Sequence, residues 1–342
     1  MRAAIFRGDR VFDIISVDKP KVGPREVLIE VKACGICGSD LHAYKGFSPD
    51  IKTPIILGHE FSGDVIEIGG DVKRAKVGDR VCIEPVVTCE KCYFCKKGEY
   101  NRCVKLGLIG CQFNGGFAEY VSVNEEWAHK IPESISYEEG ALMEPLAVAV
   151  HNVERSGVEG GEVAIVFGAG PVGNLILQVL KTMGASKVIV VDLVDWRLDL
   201  ARKLGADITI NPRSKDVVEE VLKITDQIGV DVSFEAVGNA GVLEQATKVT
   251  RKGGTIVVVG IYEEPNIKYY IMDLVFKELT MRGSAIYCNN FKTAIRLVES
   301  GKVNLKPLIT HLLPLEDVKK GFEMLIRKTE PAFKVLLKPS PL

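Results

Sequence analysis

The amino-acid sequence predicts an α/β protein in which a doubly wound domain is inserted into a β-rich domain. The first 150 residues are rich in short apolar runs, such as 27–31 and Arg80–Ile83, which Gly-Asp and Pro turns separate. Runs of this length between turn residues are typical of short strands. From residue 162 the predicted pattern changes to an apolar strand at Val163–Phe167, a long amphipathic helix at 172–183 and a second apolar strand at Lys187–Val191. This alternation indicates a βαβ unit and a parallel sheet.

The alternation continues far enough to supply the rest of such a sheet. A helix is predicted near 196–204, and further strands near 207–210, 232–235, 255–260 and 279–283. With the first two, these make six strands, as a doubly wound domain needs.

The third observation concerns the last fifty residues. Helical stretches at 291–300 and 315–327 precede a strand-like run at 334–337, and we expect that closing strand to join the first sheet. We therefore predict a discontinuous β-rich domain, residues 1–147 and 287–342, and a doubly wound domain at 148–286.

Composition and charge exclude several classes of protein. The 342 residues are 46% apolar and carry a formal net charge of -1, from 44 basic and 45 acidic side chains. A chain of this kind buries a core, and it has no long-range field that would attract nucleic acid or an anionic membrane. Neither a signal peptide nor a run of about 20 apolar residues is present in the sequence. We expect a cytoplasmic globular protein that binds neither nucleic acid nor membranes.

Four of the nine cysteines lie within fifteen residues of one another, at Cys89, Cys92, Cys95 and Cys103. Four thiolates suit a tetrahedral zinc ion, and a closed four-thiolate site leaves no coordination position for a substrate. The prediction is therefore a structural zinc. Free surface cysteines and an iron-sulfur cluster, which uses similar C-x-x-C spacing, are the alternatives.

A second group of metal-type ligands is spread over the first domain. Cys37 and His59 each lie beside turn-forming glycines, Glu60 follows His59, and Glu144 adds a carboxylate near the edge of the inserted domain. Three protein ligands of the Cys, His and Glu types would leave one position of a catalytic zinc open, where an alcohol oxygen can bind and lose its proton near neutral pH. Sequence spacing alone does not show that these residues meet.

A glycine-rich turn follows the first strand of the inserted domain. Gly168, Gly170, Pro171, Val172 and Gly173 lie between that strand and a helix, and Asp192 ends the next strand. In this context the glycines allow a tight turn and a close approach to a pyrophosphate, while an acidic residue accepts from the adenosine ribose. A carboxylate repels a 2′-phosphate, so NAD is favoured over NADP. Arg197 is the nearby residue that would favour NADP instead, because an arginine at this place can accommodate the 2′-phosphate.

Taken in order, these three motifs resemble the zinc-dependent medium-chain dehydrogenase/reductase family over nearly the whole chain. The runs 144–151, 115–120, 287–289 and 303–311 are similar to its polyol branch of sorbitol and butanediol dehydrogenases. That resemblance implies a GroES-like catalytic domain, an inserted Rossmann domain, two zinc ions per chain and NAD.

The resemblance also implies roles for single residues. Cys37 and His59 would bind the catalytic zinc directly, and Glu60 and Glu144 directly or through water. Ser39 would take the substrate proton, and His42 would pass it through the cofactor ribose to solvent. Arg197 and Val172 would help Asp192 to hold NAD. The nicotinamide end would be lined by Val259, Gly260, Ile261, Ser284, Ala285 and Ile286.

The predicted reaction is hydride transfer from a secondary alcohol of a polyol or vicinal diol to NAD, which gives a ketone. Two departures from the animal sorbitol dehydrogenases concern the substrate, since Ala43 and Ile286 stand where those enzymes carry a Tyr and an Arg. Butanediol-like diols, short polyols and sugar-acid alcohols are therefore candidate substrates of the same rank as sorbitol and xylitol. L-threonine 3-dehydrogenase activity is a second enzymatic possibility, and a zinc- and NAD-binding sensor without turnover is the non-enzymatic one. The family implies a homodimer or homotetramer.

Overall fold

The computed structural model of the chain describes residues 1–48, 50–327 and 331–340, and it divides into two compact units. The first unit comprises Met1–Pro145, Phe291–Glu299 and Leu305–Leu342, and the second comprises Leu146–Asn290 and Ser300–Asn304. The predicted domain boundaries lie within a few residues of these positions. The exception is the short segment Ser300–Asn304, which the sequence analysis placed in the β-rich domain.

The described strands are numbered here in chain order. Up to residue 130 they are β1 (Arg2–Gly8), β2 (Val11–Ser16), β3 (Glu26–Gly35), β4 (Ile55–Ile56), β5 (Glu60–Ile68), β6 (Arg80–Ile83), β7 (Val86–Val87), β8 (Gly107–Leu108), β9 (Tyr120–Asn124) and β10 (Ala128–Lys130). The parallel strands of the second unit are β11 (Val163–Phe167), β12 (Lys187–Val191), β13 (Ile208–Ile210), β14 (Val230–Glu235), β15 (Thr250–Val258) and β16 (Thr280–Gly283). Near the C-terminal end follow β17 (Ile309–Pro314) and β18 (Lys334–Lys338).

The described α-helices alternate with these strands mainly in the second unit. They are α1 (Gly38–Tyr44), α2 (Tyr93–Lys96), α3 (Tyr137–Ala141), α4 (Met143–Ser156), α5 (Pro171–Thr182), α6 (Asp195–Lys203), α7 (Val217–Ile224), α8 (Ala240–Val249), α9 (Ile271–Phe276), α10 (Phe291–Glu299) and α11 (Val318–Arg327). Among the described residues, no helix is both long and apolar enough to cross a membrane.

The first unit is built on a mixed sheet with strand order β10-β6-β5-β3-β18-β17, in which β9 also pairs with β3. The predicted closing strand is confirmed, because β18 runs antiparallel to β3 with Leu336 opposite Gly35. The strand β17, which the sequence analysis did not predict, pairs in parallel with β18. The centre of this sheet is apolar and fully buried, as at Val31, Phe61 and Leu337.

The second unit is the predicted doubly wound domain. Its sheet has the order β13-β12-β11-β14-β15-β16, and all of its strand pairs are parallel. The bounds of β11 and β12 are those predicted, because strands that are buried on both faces read as continuous apolar runs. The strand order reverses between β11 and β14, and in such sheets a ligand binds at the carboxyl ends of the strands at this point. The residues after β11 therefore form the expected ligand site of this unit.

Candidate active site and cofactor site

The first unit brings together three of the predicted metal ligands. One ligand atom each from Cys37, His59 and Glu60 can be chosen so that all three lie within 4.8 Å of one another. Cys37 immediately precedes α1, and Glu60 begins β5, opposite Gly35 of β3. The sheet register and the start of one short helix therefore fix all three side chains.

The carboxylate of Asp40 lies beside the imidazole of His59. Its Oδ1 lies 3.6 Å from His59 Nδ1, and its Oδ2 accepts a 2.8 Å hydrogen bond from the backbone N–H of Cys37. Burial lowers the pKa of His59, but the Asp40 carboxylate and the Cys37 side chain outweigh it and raise the pKa well above its ordinary value. A neutral imidazole with its proton on Nδ1, facing Asp40, has its Nε2 lone pair free for a metal, as in carboxylate-histidine-metal arrangements.

The two residues predicted to form the proton relay lie on α1. Ser39 Oγ is 3.4 Å from His59 Nε2, so its hydroxyl lies at the Nε2 edge of that ring. His42 follows three residues later on the same helix, and residues at this spacing share a helix face. The short helix α1 thus carries both groups next to the predicted ligands.

Glu144 lies outside the three-residue group. It is the second residue of α4, with an exposed fraction of 7%, and its charge acts on the buried Lys334. This effect on Lys334 indicates that the Glu144 carboxylate lies near the group formed by Cys37, His59 and Glu60, of which it is not a member.

The sequence analysis missed a buried ion pair at this site. Lys334, the first residue of β18, donates to both carboxylate oxygens of Glu60 at 2.7 and 2.6 Å. Burial lowers the pKa of Lys334, but Glu60, then Cys37, outweigh it and raise the pKa above its ordinary value. The pair is separated by 274 residues in the chain, and the only signal in the sequence is a lysine at the start of an apolar strand.

Gly35 provides the space for the Glu60 side chain. A Cβ atom added at Gly35 would overlap a carboxylate oxygen of Glu60 and lie 3.3 Å from its Cβ. Because both residues are in paired strands, neither backbone can move away easily. The carboxylate therefore depends on a glycine at this position.

We predict that Gly35→Ala lowers the free energy of unfolding by about 1–3 kcal/mol, the usual cost of overpacking. Denaturant unfolding measures the change. Gly38→Ala is the matched control, since a Cβ there meets nothing within 4 Å, and it should stay within about 0.5 kcal/mol of the parent. Equal effects of the two substitutions would contradict the role of Gly35.

The four clustered cysteines also converge. One ligand atom from each of Cys89, Cys92, Cys95 and Cys103 lies within 4.8 Å of the others. The backbone N–H groups of Cys89 and Lys105 donate to Cys103 Sγ at 3.3 and 3.4 Å. Backbone hydrogen bonds from Cys95 and Val104 lower the pKa of Cys92 to about 6. A set of four sulfur atoms, one of them readily ionised, fits a tetrahedral metal ion.

The glycine-rich turn of the second unit follows β11. Gly168 has φ +98°, a conformation that favours glycine, and a Cβ atom at Gly173 would overlap the carbonyl oxygen of Gly168. Gly170 precedes α5, and Pro171 is its first residue, where a proline costs no hydrogen bond. Val172 follows in the first turn of α5. The start of this helix leaves backbone N–H groups free to bind a phosphate.

Asp192 follows β12 and contacts that turn. Its Oδ2 accepts from the N–H of Ala169 at 2.8 Å, and its Oδ1 accepts from Val194 at 2.9 Å. The guanidinium of Arg197 lies 3.9 Å from Oδ2. The acidic side chain is therefore held at the turn by backbone hydrogen bonds, with Arg197 beside it.

The predicted nicotinamide contacts follow the carboxyl ends of β15 and β16. The N–H groups of Val259 and Gly260 both donate to the carbonyl of Glu235 at 2.9 Å, and Ile261 is next in the chain. The Oγ of Ser284 is buried and has no hydrogen-bond partner among the described residues. Ile286 has φ +47°, which is rare for a β-branched residue, and such outliers cluster at ligand sites. Ala285 lies between them. All these residues lie on the same edge of the sheet as the glycine-rich turn, and they fit a dinucleotide.

Comparison with known families decides the relationship. The alcohol dehydrogenase GroES-like domain family matches residues 23–133, and the zinc-binding dehydrogenase family matches residues 171–300. The chain belongs to the zinc-dependent medium-chain dehydrogenases. It is an oxidoreductase that acts on the CH–OH group of an alcohol, and the resemblance seen in the sequence is confirmed.

Curated relatives extend over nearly the whole chain. Sorbitol dehydrogenase of Bacillus subtilis is 36% identical over 99% of this chain and 98% of its own. The (R,R)-butanediol dehydrogenase of the same organism is 39% identical over 99% of this chain and 100% of its own. L-threonine 3-dehydrogenase of Pyrococcus horikoshii is 41% identical over 95% of this chain and 91% of its own.

Solved structures agree with this fold assignment. The 2R,3R-butanediol dehydrogenase from Bacillus subtilis superposes with a TM-score of 0.91 at 38% identity and covers 99% of both chains. A zinc-binding dehydrogenase from Sinorhizobium meliloti bound to NADP superposes with a TM-score of 0.92 at 33% identity, with 99% of each chain covered. An alcohol dehydrogenase from Escherichia coli CFT073 complexed with NADH gives 0.92 at 32%, also over 99% of each. The family thus uses zinc and a nicotinamide dinucleotide.

Proposed function

We propose that this enzyme oxidises a secondary alcohol of a polyol or vicinal diol to a ketone, with NAD as the hydride acceptor. Cys37 and His59 bind the catalytic zinc directly, while Glu60 and Glu144 bind it directly or through water. The observation that carries the proposal is the convergence of Cys37, His59 and Glu60, with Ser39 Oγ beside His59 Nε2. Zinc in such a site lowers the pKa of an alcohol that binds it.

The protein's own groups move the proton and place the substrate. Ser39 would accept the hydroxyl proton of the alcohol, and His42, on the same face of α1, would pass it on toward solvent. Asp40, whose Oδ1 lies 3.6 Å from His59 Nδ1, would favour the tautomer of His59 that presents Nε2 to the metal. These roles need only short movements, because Ser39 and His42 belong to one helix.

The carboxylate of Asp192 supports NAD as the cofactor. The glycine-rich turn, residues 168–173, holds the pyrophosphate, and Asp192 accepts from the adenosine ribose, with Val172 and Arg197 beside it. Residues 259–261 and 284–286 contact the nicotinamide end. A 2′-phosphate would meet the negative charge of Asp192, and Arg197 alone offsets it only in part.

We predict that Asp192→Ala reduces the preference for NAD over NADP by about tenfold or more. A hydrogen bond to a charged group contributes about 1.5–3 kcal/mol, and the substitution also removes the repulsion of a 2′-phosphate. The ratio of kcat/KM for the two cofactors measures the effect. Asp199→Ala, which removes an exposed carboxylate from α6, should leave the ratio unchanged. An unaltered preference in Asp192→Ala would contradict the assignment.

The substrate is best tested with a panel. Zinc-loaded protein and NAD are mixed with sorbitol, xylitol, 2,3-butanediol, glycerol, sugar acids or L-threonine, and NADH formation is followed with and without a chelator. We expect chelator-sensitive turnover with a polyol or diol.

Threonine is the second candidate, and the 41% identity to a threonine dehydrogenase favours it. Turnover confined to L-threonine would replace the proposed substrate class. If no alcohol gives NADH although zinc and NAD are bound, the result would support the sensor alternative instead.

The remaining proposals concern the second metal and the assembly. We propose that Cys89, Cys92, Cys95 and Cys103 bind a structural zinc, since their four sulfur atoms converge. The homodimer or homotetramer that the family resemblance implies stays a prediction, and so does the cytoplasmic location expected from the sequence.

A further inference from the structure

The carboxylate of Glu60 has two possible cationic partners. One is the metal ion that Cys37 and His59 bind, because all three ligand atoms lie within 4.8 Å of one another. The other is the ammonium of Lys334, which donates to both carboxylate oxygens at 2.7 and 2.6 Å. A carboxylate whose two oxygens are both engaged by a lysine is a poorer metal ligand than a free one.

The ion pair is isolated from solvent. Glu60 is completely buried, and Lys334 has an exposed fraction of 3%. Lys334 Nζ also lies 3.5 Å from the carbonyl oxygen of Ile36, which precedes Cys37 in the chain. Water therefore does not weaken the competition between the lysine and the metal for this carboxylate.

The backbone around the pair has little freedom. Gly35 stands opposite Glu60 in the ladder between β3 and β5, and Leu336 stands opposite Gly35 in the ladder between β18 and β3. The backbone N–H of Ile36 donates to the carbonyl of Val335 at 3.0 Å. Three neighbouring strands thus place Lys334 and Glu60 next to each other and next to Cys37.

We propose that Lys334 is a positioning residue that withholds Glu60 from the catalytic metal and so keeps one coordination position open for the alcohol. Without the lysine, the metal is the remaining cation within reach of the buried carboxylate, and Glu60 occupies that position permanently. This inference rests on the proposed metal site of Cys37 and His59, and it adds the group that decides when Glu60 is a ligand.

The test uses cobalt in place of zinc, because the visible absorption of Co²⁺ is more intense with four ligands than with five. Cobalt is loaded into the parent protein, Lys334→Met, Lys334→Arg and the control Lys338→Met. Lys338 lies on the same strand and pairs with Glu138 at 3.0 Å, with an exposed side-chain fraction of 23%. The spectrum of cobalt-loaded His59→Ala, which keeps the four-cysteine site, is subtracted from each.

We expect Lys334→Met to show weaker cobalt absorption and a dissociation constant for the metal that is lower by about tenfold, the scale on which partners of metal ligands act. The kcat should fall because the alcohol must displace Glu60. Lys334→Arg should restore part of the parent spectrum, and Lys338→Met should match the parent. An unchanged spectrum and metal affinity in Lys334→Met would mean that the ion pair only stabilises the fold, and the inference would be overturned.

Glu60→Gln keeps the inference testable where Lys334→Met does not fold. If Lys334 withholds Glu60, the amide variant has the parent's cobalt spectrum in the absence of substrate, with a metal dissociation constant within about threefold of the parent's. A more intense spectrum in Glu60→Gln would show that Glu60 binds the metal despite Lys334, which overturns the inference alone. A parent protein whose spectrum equals that of His59→Ala would overturn both the inference and the proposed function.

Discussion

His59→Ala is expected to lower kcat/KM by about a thousandfold or more and to leave NAD binding nearly intact. His59 belongs to the three-ligand group, and its Nε2 lies 3.4 Å from Ser39 Oγ. Zinc supplies several kcal/mol of stabilisation in the reactions it assists. The predicted cofactor residues belong to the second unit, so their fold does not depend on this side chain. Steady-state kinetics and NAD titration measure the two effects separately.

The control for this substitution is His311→Ala. His311 is a half-buried histidine on β17 whose Nδ1 lies within hydrogen-bond distance of Thr310 Oγ1, at 3.0 Å. It should retain parental turnover. The metal content of His59→Ala should fall by one ion per chain while the four-cysteine site stays filled. Near-normal turnover in His59→Ala would end the catalytic assignment.

Cys92→Ala is expected to have the largest effect on stability. The loop 89–103 contains little regular structure besides α2 and a short 3-10 helix, so the proposed metal is its main source of order. Structural zinc sites supply folding free energy directly. A loss of several kcal/mol would lower the midpoint of thermal unfolding by roughly 10 °C in a protein with units of this size.

The matched control is Cys82→Ala, which truncates a fully buried cysteine on β6 outside both ligand groups and should cost about 1 kcal/mol. Calorimetry and metal analysis measure both variants. A Cys92→Ala protein that unfolds at the parental temperature with the same metal content would contradict the structural zinc. Iron and sulfide in the purified parent would favour the iron-sulfur alternative.

Local patterns in the sequence predicted the second unit well and the first unit only in part. The strands β11 and β12 were predicted with their observed bounds, because an uninterrupted apolar run between turns has few other interpretations. The glycine-rich turn could also be predicted from a local pattern. The tight turn and the close packing of Gly173 against Gly168 need glycines within six consecutive residues.

The candidate active site depends on residues that are distant in the chain, and here the sequence was less informative. Residue types and spacing selected Cys37 and His59, but only the register of β3 with β5 brings Glu60 opposite Gly35. Lys334 was missed because a lysine at the start of a strand is ordinarily exposed. Asp40 was missed because an acidic residue in the first turn of a helix is common there for its capping role alone.

The position of β18 in the chain has a consequence for the order of folding during synthesis. β18 completes the sheet of the first unit by pairing with β3 and β17, yet it follows all six strands of the second unit. A ribosome therefore finishes the second unit before it delivers Lys334. Until then Glu60 lacks its lysine partner, although Cys37 and His59 were synthesised much earlier. The contact between Lys334 and Glu60, and with it the complete sheet of the first unit, can therefore form only after the whole second unit has been synthesised.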